Sequence, residues 1–177
     1  YKGDKVNALE NAQIIFEQGE LYDNPGEATE SGTGALAWTH PSSLNTTDPR
    51  FCDRLYSREQ AFRLSYTQIN DVVKSYFSSS AKNRLTVLSP DAIKADQIFE
   101  KSSGALGNDY RMIRCFSYDG GDEYLSKFWQ YEGGGYNKIF PLIRKTESYY
   151  ILAELLKESN STKAVEILNI VRKHRNI

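Results

Sequence analysis

The chain has 177 residues, of which 40% are hydrophobic and 25% are charged, a composition typical of a globular domain that can bury one substantial core. Its formal net charge of −1 gives no broad electrostatic reason to expect nucleic acid or an anionic membrane surface as a partner. No run of apolar residues approaches the ~20 residues that a membrane-spanning helix needs.

The first predicted element is a helix over residues 5 to 17. Asp4 precedes it and is a suitable N-cap residue, because its side-chain oxygen can accept a hydrogen bond from an N–H group of the first turn. The apolar residues that follow recur at helical spacing. They are Ala8, Leu9, Ala12 and Ile15.

Residues 19 to 50 are rich in glycine, proline, serine, threonine and asparagine, which predicts a long surface loop. Trp38 lies inside this loop. A single large aromatic residue in such a place either anchors the loop by being buried or contacts a ligand, and anchoring is the commoner role. His40 alone makes no metal site.

The sequence of residues 58 to 100 predicts a segment that mixes strand and helix. Apolar residues alternate from Phe62 to Tyr66, which favours a strand, and then recur at helical spacing from Ile69 to Phe77. A further short helix is predicted to begin after Ser89 and to end near Phe99.

Residues 118 to 136 combine six aromatic residues with two glycine clusters. Alternation in this aromatic stretch predicts a short β-hairpin or ribbon. Aromatic faces beside carboxylates match the apolar faces and hydroxyl rims of sugars, and glycines let a ligand come close. The alternative is that half of the rings only pack the ribbon onto a helical scaffold. If the chain binds a glycan, we expect the stacking rings to be Trp129 and Tyr131, with Tyr136 or Trp38 nearby.

The most regular pattern, in residues 141 to 176, predicts an antiparallel helical hairpin. Pro141 suits the first position of a helix over 141 to 157, because a missing N–H group has no consequence there. After a short polar turn, Ser161 or Thr162 can cap a second helix over 162 to 176. This second helix carries one apolar stripe. Its members are Ala164, Val165, Leu168 and Val171.

The first helix echoes the last one. Ala8 aligns with Ala164 and Ile15 with Val171, and small residues at such positions allow the close approach typical of stacked tetratricopeptide-like (TPR-like) hairpins. The predicted fold is therefore mainly α. It consists of TPR-like helical hairpins with long irregular loops and a small β-hairpin or ribbon, in a single domain over residues 1 to 177.

The C-terminal hairpin also resembles a known family. A spaced set of its residues looks like the signature of the SusD/RagB family of Bacteroidetes nutrient-binding lipoproteins. The set is Pro141-Leu142-Ile143-Arg144, Glu147, Tyr150-Ile151-Leu152-Ala153-Glu154, Ala164, Leu168-Asn169, Val171-Arg172 and Arg175. Two further segments are similar to family motifs. Asp109-Tyr110-Arg111 resembles its D-x-R segment, and Arg58-Glu59-Gln60-Ala61-Phe62 resembles its R-E-x-x-F segment.

The resemblance implies a TPR-like scaffold that binds polysaccharide or oligosaccharide for a nutrient uptake system, without catalysis. It implies a SusC-like TonB-dependent outer-membrane transporter as partner. The implied location is the outer membrane at the cell surface, through an N-terminal lipid anchor absent from this chain. Family members are longer than this chain, and the match covers the middle of such a protein, so we expect a fragment. The helical hairpins by themselves leave a second function open, a TPR-like scaffold that binds a protein or peptide.

No motif for nucleotide binding, metal binding or covalent catalysis occurs in the sequence. Asp122 and Glu132 could form the carboxylate pair of a glycosidase, but carboxylates are common, and we predict a protein that is not an enzyme and uses no cofactor or metal. Cys52 and Cys115 are far apart and have no C-x-x-C spacing, which favours two thiols over a disulfide.

Overall fold

The computed structural model describes residues 3–22, 36–39, 43, 52–77, 97, 109–119, 122–128 and 138–175. Helices account for 60% of them, so the predicted mainly α fold with a small β-hairpin is confirmed, whereas the TPR-like arrangement stays a prediction. The elements in chain order are α1 (Lys5–Tyr22), a 3-10 turn (Ser57–Glu59), β1 (Gln60–Ser65), α2 (Ile69–Phe77), α3 (Tyr110–Cys115), β2 (Phe116–Asp119), β3 (Asp122–Leu125), β4 (Ile139–Arg144), α4 (Lys145–Leu156) and α5 (Ser161–Arg175).

The chain divides into two compact units. The first, here called the helical unit, comprises Tyr1–His40, Arg58–Arg63 and Pro141–His174 and contains α1, α4 and all but the last residue of α5. The second, here called the mixed unit, comprises Pro41–Ser57, Leu64–Phe140 and Arg175–Ile177. The prediction of a single domain over the whole chain stays a prediction.

Small residues bring the three helices of the helical unit together. Ala12 of α1, Ala153 of α4 and Ala164 of α5 are all buried, and side chains this small allow the helix backbones to approach closely. Larger residues fill the rest of this core. They are Trp38, Tyr149, Leu152, Ile167 and Val171, with Leu9, Phe16, Ile151, Leu156 and Ile170 packed at its edge.

Helix α1 runs to Tyr22, which extends it into the stretch predicted as loop from residue 19. The glycine that suggested a loop, Gly19, is buried inside the helix instead. A β-carbon at Gly19 would lie 2.9 Å from the hydroxyl oxygen of Tyr149, closer than real β-carbons approach. The glycine is therefore used for close packing and not for a turn.

The first helix of the C-terminal hairpin begins at Lys145, so the prediction that it begins at Pro141 is wrong. Residues Ile139–Arg144 form strand β4, which pairs with β1 in a two-stranded sheet. Proline is tolerated in such a sheet, because only one side of the strand has to donate to the neighbouring strand. The same missing N–H group that suits a helix start also suits this position.

The predicted N-cap residue is confirmed for α1 and is wrong for α5. Asp4 Oδ1 accepts a hydrogen bond from the backbone N–H of Asn7, at 3.2 Å, as expected. For α5 the cap is Asn160, whose Oδ1 accepts from the backbone N–H of Lys163 at 3.1 Å, and not Ser161 or Thr162. Asn160 and Ser161 are both good capping residues, so residue type alone did not distinguish them.

In the mixed unit, β2 and β3 form an antiparallel hairpin in which Phe116 is opposite Leu125 and Asp119 is opposite Asp122. Tyr56 and Cys115 form a small buried cluster beside it. Cys52 and Cys115 are both buried and form no disulfide, in agreement with the favoured reading of the sequence. The helix predicted after Ser89 lies outside the described residues except for Gln97.

Candidate functional site

Three of the four predicted ligand-stacking rings, Trp129, Tyr131 and Tyr136, lie outside the described residues. The described part of the aromatic stretch is the β2–β3 hairpin and the residues up to Phe128. The ring of Phe128 lies between two others of the mixed unit, 5.1 Å from Phe77 and 5.7 Å from Phe140 between centroids. At least this ring of the stretch therefore has a packing role.

Trp38, the fourth predicted ring, is only 6% exposed and belongs to the core of the helical unit. Its indole stacks on the imidazole of His174, with centroids 4.4 Å apart, and meets the ring of Tyr149 edge-on at 5.3 Å. The structure thus places Trp38 as an anchor of its loop segment and not on a ligand-facing surface. Burial is the commoner outcome for a single large aromatic residue.

Lys145, to which the sequence gave us no reason to assign a role, is fully buried beside Trp38. Its Nζ donates a hydrogen bond to the backbone oxygen of Leu36 at 2.7 Å and lies 3.9 Å from the centre of the Trp38 ring. A buried ammonium group needs such partners, since an uncompensated one is strongly destabilising. Lys145 therefore joins the start of α4 to the loop segment that carries Trp38.

An apolar groove with a volume of about 330 Å³ lies between α4 and α5 of the helical unit and is here called the α4–α5 groove. Its floor contains the buried residues Ala153 and Ala164, and its walls are the side chains of Tyr150, Val165 and Leu168. These three side chains are 44%, 55% and 39% exposed and line the same groove, so they form a contiguous exposed apolar patch. The groove is thus a preformed apolar surface facing solvent.

Val165 and Leu168, which the sequence places on the apolar stripe of the second helix, are exposed and do not belong to its buried face. The buried stripe is Ala164, Ile167 and Val171, at spacings of three and four residues. Val165 and Leu168 lie beside that stripe and widen the apolar face beyond what the hairpin can cover. An apolar face wider than one stripe is the sequence signal that could have indicated this groove.

Charged groups line the groove on one side only. Glu154 lies in the last turn of α4 and Lys157 directly follows that helix, whereas the lining residues from α5 include no charged side chain. Lys157 Nζ also lies 4.0 Å from Glu158 Oε1, but both groups are well exposed and such a surface pair is weak. The groove therefore presents an apolar surface with one acidic and one basic group along its α4 edge.

The buried carboxylates of the described chain are engaged in local structure. Asp53 Oδ2 accepts from Ser57, Glu59 Oε1 accepts from the backbone N–H of Thr39 at 3.1 Å, and Asp109 binds Arg111. No group of three metal-ligating side chains occurs among the residues that the structure describes. In the same part of the chain, no helix has the length and apolar character to cross a membrane.

The comparisons with known proteins returned no relative. No protein-family model matches this sequence, and neither a curated protein nor a solved structure matches it.

Proposed function

We propose that this chain is part of a non-catalytic glycan-binding protein of the SusD/RagB type. The protein works at the outer-membrane surface of the cell, beside a SusC-like TonB-dependent transporter. The proposal rests on the resemblance of three separate segments and on the structural roles that their residues have. The chain acts as scaffold and as one part of the binding surface, within a longer lipid-anchored protein.

The observation that supports the proposal most is that two of the three resembling segments each contain a buried carboxylate with a defined partner. In the R-E-x-x-F segment, Glu59 is fully buried and accepts from the backbone of Thr39. In the D-x-R segment, Asp109 caps α3 and binds the guanidinium of Arg111 at 2.6 Å.

The glycan surface in this proposal is the aromatic stretch that follows the β2–β3 hairpin. Alternate side chains of an extended segment share one side, and the sequence spacing of Trp129 and Tyr131 predicts this arrangement for the two rings. Flat aromatic faces bind the apolar faces of sugar rings, and exposed carboxylates accept hydrogen bonds from hydroxyl groups. No catalytic step is needed for capture, and the buried carboxylates already serve the fold.

A glycan array probed with the full-length protein tests this function, with hydrolysis of any bound glycan followed in parallel. We expect binding to one class of polysaccharide or oligosaccharide without turnover. Turnover that is lost in Asp122→Asn or Glu132→Gln variants would instead support a glycosidase.

The second candidate function is a TPR-like scaffold that binds a protein or peptide, and the α4–α5 groove favours it. The groove has exposed apolar walls and few polar groups, a poor match for sugar hydroxyls but a good match for apolar side chains. A photo-cross-linking amino acid at Val165 of the full-length protein tests this function in intact cells, with the same amino acid at Ile14 as control. We expect cross-links to a protein from Val165 only, and equal or absent cross-linking at both positions would contradict this function.

A further inference from the structure

We propose that the α4–α5 groove binds one amphipathic α-helix of a protein partner, oriented by Glu154 and Lys157. The inference deepens the second candidate function and rests on it, because it names the kind of segment that the groove receives. The apolar side of this helix covers Tyr150, Val165 and Leu168. One edge of the helix presents a basic residue to Glu154 and, one turn away, an acidic residue to Lys157.

The chemistry of the lining selects a helix over an extended peptide. The groove lies along the side of two helices, whose backbone N–H and C=O groups are largely used within the helices themselves. An extended peptide placed there would lose water from its own backbone groups and find few partners for them. A helix satisfies its backbone groups internally and offers only side chains to the groove.

The helical unit already contains one helix seated on this hairpin. Ala12 of α1 lies in the same buried cluster as Ala153 and Ala164, and Leu9 and Phe16 pack at its edge. Ala153 and Ala164 also contribute to the floor of the α4–α5 groove. The hairpin thus has small residues where a second helix backbone would approach from the groove side.

The charges on one edge determine the orientation of the bound helix. Glu154 and Lys157 are the charged side chains of the groove lining; Glu154 lies in α4 and Lys157 directly follows its last residue. The Lys163–Glu166 ion pair, at 3.2 Å, belongs to α5 and does not line the groove. A helix bound in the reverse direction, with its apolar side still on the groove, would turn its charged edge toward α5, so Glu154 and Lys157 would lose their opposite charges.

The test uses a displayed library of amphipathic helices of about 18 residues, long enough to span the hairpin at ~1.5 Å per residue. Leucine and alanine fill the apolar stripe of every member, and the two edge positions carry Lys, Gln or Glu at random. The full chain is the target, as wild type and as the charge-swapped variant Glu154→Lys/Lys157→Glu. We expect wild type to select a basic and an acidic edge residue one turn apart, and the swapped variant to select the reverse order.

Point variants test whether the selected helices bind in the α4–α5 groove. Val165→Glu should weaken their binding at least about tenfold, since it puts a charge into an apolar wall. Ile14→Glu is the matched control, because Ile14 of α1 is 52% exposed, similar to Val165 at 55%, and lies outside the groove. Circular dichroism of each variant shows whether it keeps the wild-type helix content.

Identical edge preferences in wild type and swapped variant would overturn the orienting role of the two charges. Unchanged affinity in Val165→Glu would overturn the groove as the helix site. If Val165 cross-links to a protein but no library helix binds, the docking function stands and the helical occupant is wrong. If Val165 neither cross-links to a protein nor affects helix binding, both proposals fail.

Discussion

The indole of Trp38 and the imidazole of His174 are stacked in the helical unit, with centroids 4.4 Å apart and planes inclined by 4°. This contact joins the segment of residues 36–39 to the last turn of α5. Because Trp38 is only 6% exposed, most of its surface is removed from water by such contacts. The stacking is thus a fold-stabilising contact between segments that are more than 130 positions apart in sequence.

We predict that Trp38→Ala lowers the free energy of unfolding by about 3–5 kcal/mol, the usual range for removing a buried large aromatic side chain. Urea denaturation followed by circular dichroism measures the change. Phe62→Ala is the control, because Phe62 is also aromatic but more than half exposed, and its effect should stay below about 1 kcal/mol. Equal effects of the two substitutions would contradict an anchoring role for Trp38.

Gly19→Ala should destabilise the protein by about 1–3 kcal/mol, because its new methyl group would meet the Tyr149 hydroxyl oxygen at 2.9 Å. In a double-mutant cycle with Tyr149→Phe, which removes that oxygen, the second substitution should relieve most of this cost. Thermal unfolding of the four proteins gives the coupling. Additive effects would mean that the alanine is accommodated in another way.

Capping of α5 offers a test that separates two adjacent residues. Asn160→Ala should lower stability by about 1 kcal/mol, because the N–H of Lys163 loses the Asn160 oxygen. Ser161→Ala should change it by less than about 0.5 kcal/mol, since alanine is a good residue inside a helix. The opposite ranking in chemical denaturation would return the cap to Ser161.

Asp4 should titrate below its ordinary value of 3.8, because hydrogen bonds from the side chain and then the backbone of Asn7 lower its pKa in the folded chain. A carboxylate with a lowered pKa contributes stability that is present above pH ~3.8 and is lost as the pH falls through the folded pKa. Carboxyl NMR titration measures the value directly. In Asn7→Ala the pKa should move back toward 3.8, and a wild-type value at or above 3.8 would exclude this cap.

Much of the helical architecture could be predicted, because the spacing of apolar residues within a helix depends only on helix geometry. Ala164 and Val171 of α5 are an example. Features that depend on tertiary contacts could not. Pro141 is compatible with a helix start and with an edge strand, and pairing with β1 decides between them. In the sequence, Gly19 indicates a loop. Its close contact with Tyr149 in the fold shows that the glycine allows packing within a helix.

In the candidate site, too, the features that depend on tertiary contacts could not be predicted from the sequence. Val165 and Leu168 lie on the apolar stripe that the sequence predicts for the second helix, and their exposure depends on how the hairpin packs with α1. Lysine is usually a surface residue, so the sequence gives no sign that Lys145 is buried. Its burial depends on the carbonyl of Leu36 and the ring of Trp38, both distant in sequence. For the glycan surface, the sequence remains the basis of the prediction.

The most direct test of glycan binding is calorimetric titration of the full-length protein with its glycan, in wild type and in Trp129→Ala and Tyr131→Ala. Truncation of a stacking ring should cost at least 1–2 kcal/mol of affinity, roughly a five- to thirty-fold higher dissociation constant. Val165→Glu, in the α4–α5 groove, should leave the affinity within about twofold. Unchanged affinity in both aromatic variants, or no glycan bound by the wild type, would contradict the account.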